Sequence, residues 1–211
     1  LETVAEYLGV LSEAGGVMHL PVVGVSGIGK TVFLQTIQQA VEELPREIPV
    51  RLVDADAFDE ETADGRFQLR VLQDDLRQLD EVVLLIDNCN RDREIDASLR
   101  AIGECVESAV VVSAWPPEWW RHRCDDVESV LQVTNEIHLE PFNQRELAEV
   151  VRKLVAVMSN GEVTPSEEFA SAVEAYRFGY PRIAILLVRK SITPAFRSDE
   201  EIGPGVVEET A

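Results

Sequence analysis

Apolar positions along the chain follow two regimes. Up to residue 140 they come in short unbroken runs, "LPVVGV" (20–25), "PVRLVDA" (49–55), "EVVLLID" (81–87), "SAVVVSA" (108–114) and "EIHLE" (136–140). Runs without polar alternation mark parallel strands covered on both faces. Between them, 31–44, about 65–79 and 93–106 repeat their apolar residues at helical spacing. Strands alternating with helices predict a wound α/β sheet whose ligand site lies at the carboxyl ends of the strands.

Beyond residue 140 the strand pattern stops. "NQRELAEVVRKLVAVMSN" (143–160), "PSEEFASAVEAYRF" (165–178) and "RIAILLVRKS" (182–191) each have a helical period, and Pro165 and Ser166 can open the second of them. Three short helices bury little alone, so they are expected to pack on the sheet as a lid. The predicted organisation is an α/β domain over 1–140, a helical lid over 141–195 and an acidic linker or tail over 196–211, where Gly and Pro accompany the charge.

One stretch carries chemistry. "GVSGIGKT" (24–31) fits G-x-x-x-x-G-K-[ST], with an apolar strand before it and a helix after it. Glycines let successive N–H groups converge on a phosphate, and the helix start adds its positive end. The cradle would be Gly24, Gly27, Ile28, Gly29, Lys30, Thr31 and Val32. Lys30 would reach the β and γ phosphates, and the Thr31 hydroxyl would hold Mg²⁺. A glycine-rich turn with a surface lysine is the plainer alternative. A magnesium carboxylate is expected too, and "VVLLIDN" supplies Asp87 at a strand tip. No N-K-x-D guanine motif occurs, which favours ATP and ADP over guanine nucleotides.

In order, "GVSGIGKT", "VVLLIDN", "VVVSAW", "EIHLEPFNQRELAEVV" and "GYPRIAILLV" resemble the motifs of STAND-class ATPases, the NB-ARC and NACHT relatives, and of archaeal origin-recognition-type AAA+ ATPases. The resemblance covers about residues 1–192. It implies a P-loop three-layer sandwich with five parallel strands in the order 5-1-4-3-2, followed by a small helical lid. It puts Ser113 at the sensor position near the γ-phosphate, although a serine closing a buried strand would look the same. Gly179, Tyr180 and Pro181 resemble the lid motif whose proline packs near adenine. Arg182 then stands where origin-recognition relatives carry an arginine able to reach the γ-phosphate.

The chain departs from these families after Asp87. Hydrolytic members usually have a second acid there; Asn88 can orient a water but cannot take its proton. Asp54, Asp56, Asp59, Glu60, Asp92 and Glu94 are candidate replacements. The resemblance therefore implies an ATP-binding, slowly hydrolysing switch module of a signalling or defence NTPase. The alternative it leaves open is an AAA+ ATPase acting on DNA in replication initiation or transposition. Either would have further domains in the same parent chain, and an ATP-dependent homo-oligomer is expected of the group. The start at Leu1 in place of Met also points to a module of a longer protein.

"SAWPPEWWRHRC" holds all three tryptophans, Trp115, Trp119 and Trp120, followed by Arg121 and Arg123. It reads as a loop. Either it docks a neighbouring subunit and lends it an arginine, or the tryptophans seal the lid on the sheet while the arginines pair with local acids.

Charge narrows the partners. Asp and Glu number 39 against 19 Lys and Arg, a net charge of −20, and only Lys30, Lys153 and Lys190 are lysines. Such a surface repels phosphate backbones, so direct nucleic-acid binding by this segment is disfavoured. The bias resembles that of proteins from salt-loving archaea, with an acidic mesophilic domain as the plainer alternative. Cys89, Cys105 and Cys124 lack C-x-x-C spacing and read as reduced structural thiols; His19, His122 and His138 lack ligand spacing, so no metal beyond Mg²⁺ is implied. No run of eighteen apolar residues and no basic leader occurs, which predicts a cytoplasmic protein without a membrane partner.

Overall fold

The structure, a computed structural model, describes Glu6 and residues 15–58, 62–89, 95–129, 131–133, 135–161, 165, 169, 173 and 180–198, without the side chains of 95–98, 183 and 191–198. Asp59, Glu60, Asp92, Glu94, Gly179, most of 165–178 and the end of the 196–211 tail lie outside the described residues. The chain divides into two units, one of Leu1–Ser26 with Lys30–Leu139, the other of Gly27–Gly29 with Glu140–Ala211.

The first unit is a parallel sheet between helices. Its elements are β1 (Gly16–Val23), α1 (Lys30–Glu42), β2 (Val50–Asp54), a short 3₁₀ turn (Ala55–Phe58), α2 (Ala63–Leu76), β3 (Val82–Asp87), α3 (Ile95–Gly103), β4 (Ser108–Trp115), α4 (Pro117–Glu128), β5 (Gln132–Val133) and β6 (Ile137–His138). The strand order is β2-β3-β4-β1-β5, with β6 also on β1, and every pairing is parallel. This is the α/β order expected from the sequence, that of the AAA+ P-loop fold.

Unbroken apolar runs work here because both faces are covered. Leu20, Val22, Val83, Leu85, Val110 and Val112 pack with Leu34, Ile37 and Val41 of α1. The alternate residues Val23, Leu84, Ile86, Ala109, Val111 and Trp115 pack with α2, α3 and α4 through Leu69, Leu72, Leu99, Ile102 and Trp120. β3 is buried along its whole length.

The edge beside β1 is split in two by a proline. Gly16 and Gly24 donate their N–H groups toward β4, while the Val23 carbonyl accepts from Leu139 on the other side. Even positions of β1 thus face β4, and odd positions, Pro21 among them, face the edge. Pro21 has no N–H to give there. β5 pairs at Met18 and His19, β6 pairs at Val22 and Val23, and the ladder is interrupted between them.

The structure adds β5, which the sequence reading lacks, and shortens the last expected strand, 136–140, to Ile137–His138; two further differences have a plain cause. β1 begins four residues before Leu20, because His19 is buried like an apolar residue. The tryptophan stretch is helix α4 and not a loop: Pro117 occupies the first turn, where a missing N–H costs nothing.

In the second unit, α5 (Gln144–Met158) and α6 (Pro181–Ser198) share a small core of Leu147, Val151, Val155, Phe169, Val173, Ala184, Leu187 and Val188. α5 opens on a capping box: Asn143 Oδ1 accepts from the Glu146 N–H at 3.0 Å and Glu146 Oε2 accepts from the Asn143 N–H at 2.9 Å. Asn143→Ala is expected to cost about 0.5–2 kcal/mol of stability, measured by urea unfolding followed in the far ultraviolet. Among the described residues, no helix is long and apolar enough to cross a membrane.

Candidate nucleotide site

The tips of β1, β2 and β3 and the first turn of α1 bring four polar side chains together. Lys30 and Thr31 open α1, Asp54 ends β2 and Asp87 ends β3. Asp54 and Asp87 are register partners on neighbouring strands.

Asp87 has both oxygens engaged. Thr31 Oγ1 donates to Oδ2 at 2.6 Å, and the Asn88 N–H donates to Oδ1 at 2.9 Å. The hydroxyl and the carboxylate expected to hold Mg²⁺ are therefore in contact, although 56 residues separate them in the chain. Lys30 Nζ donates to the carbonyls of Gly24 at 2.6 Å and Val25 at 3.1 Å. Partial burial lowers its pKa from the usual lysine value, opposed by the charges of Asp87 and Glu118. An ammonium held in this way gains from an incoming anion.

Asn88 follows with φ 57°, in the left-handed region that asparagine tolerates better than most residues. Its side-chain amide donates to Asp54 Oδ2 at 3.1 Å, while the Asp56 N–H donates to Asp54 Oδ1 at 2.9 Å. This contact was not legible in the sequence, where Asp54 was one of six candidate acids. Of the six, Asp54 and Asp56 are described, and Asp54 is the one bonded to Asn88. Cys89 behind them is buried, and burial first, then Asp87, pushes its thiol pKa up, as suits a structural thiol.

Ser113 does not join this group. It is fully buried, with Oγ 2.5 Å from His19 Nε2 and accepting from Trp115 Nε1 at 2.6 Å. Its hydroxyl turns onto the face covered by α4, where Trp120 meets the rings of His19 and Trp115 with centroids 6.0 and 5.4 Å away. These contacts are those of a serine in a buried strand, the plainer of the two readings of Ser113. The tryptophans likewise pack inside the first unit. Trp120 Nε1 also donates to Glu136 at 2.7 Å, and Arg123 pairs with Asp126 at 3.4 Å.

The second unit holds the remaining expected residues. Gly27 and Gly29 have φ 79° and 111°, conformations that favour glycine. The Arg182 N–H donates to the Gly27 carbonyl at 3.3 Å, and a Cβ on Gly27 would sit 3.0 Å from the Arg182 Cβ. Any side chain at Gly27 would meet both obstacles. Ile28 and Pro181 are buried, whereas Val32, in the first unit, is largely exposed.

These donors suit a magnesium nucleotide. Mg²⁺ takes one or two protein oxygens and completes its shell with phosphate and water. Thr31 and Asp87 offer that number, and among the described residues no group of three or more His, Cys, Asp or Glu could hold a metal. Within the first unit, the Lys30 ammonium on the Gly24 and Val25 carbonyls matches what a polyphosphate needs.

No family model matches the chain, and no curated protein matches it. Solved structures do. Domain III of the Thermotoga maritima replication initiation protein DnaA aligns with TM-score 0.71 and 19% identity, covering 98% of this chain and 88% of that one. The T. maritima RuvB Holliday junction branch migration motor aligns at 0.65 with 18% identity, over 99% of this chain and 66% of its own. The FIGL-1 AAA domain in complex with ADP aligns at 0.64 with 14% identity, over 92% and 70%. The chain thus spans about two thirds of the RuvB chains it matches. These likenesses carry the fold.

Proposed function

We propose that the chain is an ATP-binding, slowly hydrolysing nucleotide module that acts as a switch. The observation that carries this reading is the Thr31–Asp87 contact beside Lys30 at the carboxyl ends of the parallel strands. Lys30 binds the β and γ phosphates, Thr31 and Asp87 hold Mg²⁺, and Gly24, Gly27, Ile28 and Gly29 wrap the phosphates with N–H groups. Bound Mg²⁺ supplies charge neutralisation on the phosphates. Adenine is favoured because no guanine motif occurs and because one fold neighbour, the FIGL-1 AAA domain, is a complex with ADP.

As a switch, the module responds through its second unit, where Arg182 and Gly27 already meet. That unit is read as the lid, and loss of the γ-phosphate changes its contacts. Signalling by a STAND-like parent chain and ATP-dependent self-association belong to this proposal. Two fold neighbours, a replication initiation protein and a Holliday junction branch migration motor, support a second reading as an ATPase acting on DNA. With a net charge of −20 on this segment, the DNA contacts would then belong to other parts of the parent.

Titration with fluorescent ATP, ADP and GTP analogues in high potassium chloride tests the reading. Saturable ATP and ADP binding is expected, with GTP weaker and ATP affinity falling when Mg²⁺ is chelated. Absence of nucleotide binding with and without Mg²⁺ overturns it.

A further inference from the structure

Hydrolysis needs a group that takes a proton from the attacking water, and the residue after Asp87 is an asparagine. Among the described residues, the structure joins that asparagine to one carboxylate, Asp54, on the neighbouring strand. Three features single Asp54 out. Its register partner is Asp87, one strand spacing of about 4.8 Å away, and Asp87 is bonded to Thr31 of the phosphate loop. Asp54 and Asn88 are both exposed, so water reaches them, whereas Asp87 is buried. The Asp56 N–H and the Asn88 amide each hold one Asp54 oxygen, so the carboxylate is fixed in direction while lone pairs remain to accept a proton.

We propose that Asp54 is the general base of this site and that Asn88 is its positioning residue. The inference rests on the nucleotide-binding reading above. In the step it assigns, a water oxygen bonds to the γ-phosphorus, the bond from that phosphorus to the bridging oxygen breaks, and ADP leaves with the bond pair. The water proton passes to an Asp54 oxygen and then to solvent or the released phosphate. Asn88 cannot accept this proton, but its amide carbonyl can receive a hydrogen bond from the same water. Carboxylate and carboxamide thus divide between β2 and β3 the work of one acid.

Asp54→Asn, Asn88→Ala and the double variant Asp54→Asn/Asn88→Glu test it, each scored for ATP affinity, affinity for ADP with aluminium fluoride, and single-turnover phosphate release. Asp54→Asn is expected to bind ATP within about twofold of the parent, to lose about 100-fold or more in phosphate release, and to weaken toward the aluminium fluoride complex. Asn88→Ala is expected to lose about tenfold and to keep the parent's pH profile. The double variant, with its acid back on β3, is expected to regain turnover.

Phosphate release by Asp54→Asn at the parental rate overturns the assignment. So does a parent chain that binds ATP and never turns it over, which leaves nucleotide binding standing. A parent that binds no nucleotide overturns both readings together.

Discussion

Replacing Lys30 by alanine is expected to weaken Mg-ATP binding about 100-fold or more while leaving the unliganded fold as stable as before. The affinity loss follows from the hydrogen bonds that the ammonium can transfer from carbonyls to phosphates. A bond between charged groups contributes about 1.5–3 kcal/mol, so two of them correspond to a factor of 100 or more. The unchanged fold follows from the sign of the pKa shift. Lys30 is lowered, so the folded state disfavours its charge relative to solvent, and removing the ammonium takes away a cost. The Gly24 and Val25 carbonyls lose a donor, but Val25 is exposed and water can reach its end of the loop. Thermal melts with and without Mg-ATP check both halves. The parent should gain stability with nucleotide and the variant should not, from the same starting midpoint. A variant that melts well below the parent without nucleotide would show that Lys30 holds the loop together instead.

The second large effect is acid destabilisation from inside the core. Burial pushes the His19 pKa from 6.5 down to about 3, so the ring is neutral in the folded chain at every pH between these values. The unfolded chain takes up a proton below about 6.5. Protons bound only by the unfolded state favour unfolding, so the stabilisation is complete above about 6.5 and is lost as pH falls toward 3. At about 1.4 kcal/mol for each pH unit, His19 alone removes about 2–3 kcal/mol between pH 6.5 and 4.5. The pKa of Asp75 is lowered by its hydrogen bond with Arg51, and it withdraws stability in the same direction, but only below the ordinary carboxylate range. Glu149, lowered by its hydrogen bond with Lys153, acts in the same direction from the carboxylate range downward, so the histidine dominates the interval from 6.5 to 4.5. His19→Gln keeps a nitrogen that can meet Ser113 and removes the titration. Urea midpoints across this interval should fall in the parent and stay nearly level in the variant; parallel slopes would reject the account.

His19 also shows where sequence reasoning stopped. The sheet was legible because β2, β3 and β4 are unbroken apolar runs, and their order followed from the resemblance carried by the phosphate loop. A histidine in such a run reads as polar, so the apolar pattern begins only at Leu20. The Ser113 hydroxyl and the Trp120 ring, both distant in the chain, show why an imidazole belongs inside. The same contacts engage the Ser113 hydroxyl. α4 was missed because its charged run, "RHRCDD", outweighs the two residues it buries, Trp120 and Val127.

At the site, Gly24, Lys30, Thr31 and Asp87 were legible from spacing. A loop motif and an apolar run ending in Asp imply each other. The Asp54–Asn88 pair was not, because register between β2 and β3 depends on packing that no local pattern encodes. Once strand pairing is known, an asparagine where an acid is expected becomes a pointer to the carboxylate beside it.

Pro21 has a further consequence for the behaviour of the chain at high concentration. A sheet margin with a continuous row of unpaired amides and carbonyls invites a strand from another molecule, the first step toward aggregation. Here the margin is cut into two fragments of two residues each, β5 and β6, on either side of a missing amide. An incoming strand would find no uninterrupted ladder there long enough to hold it. Replacing Pro21 with valine would return an amide to the gap between these two fragments.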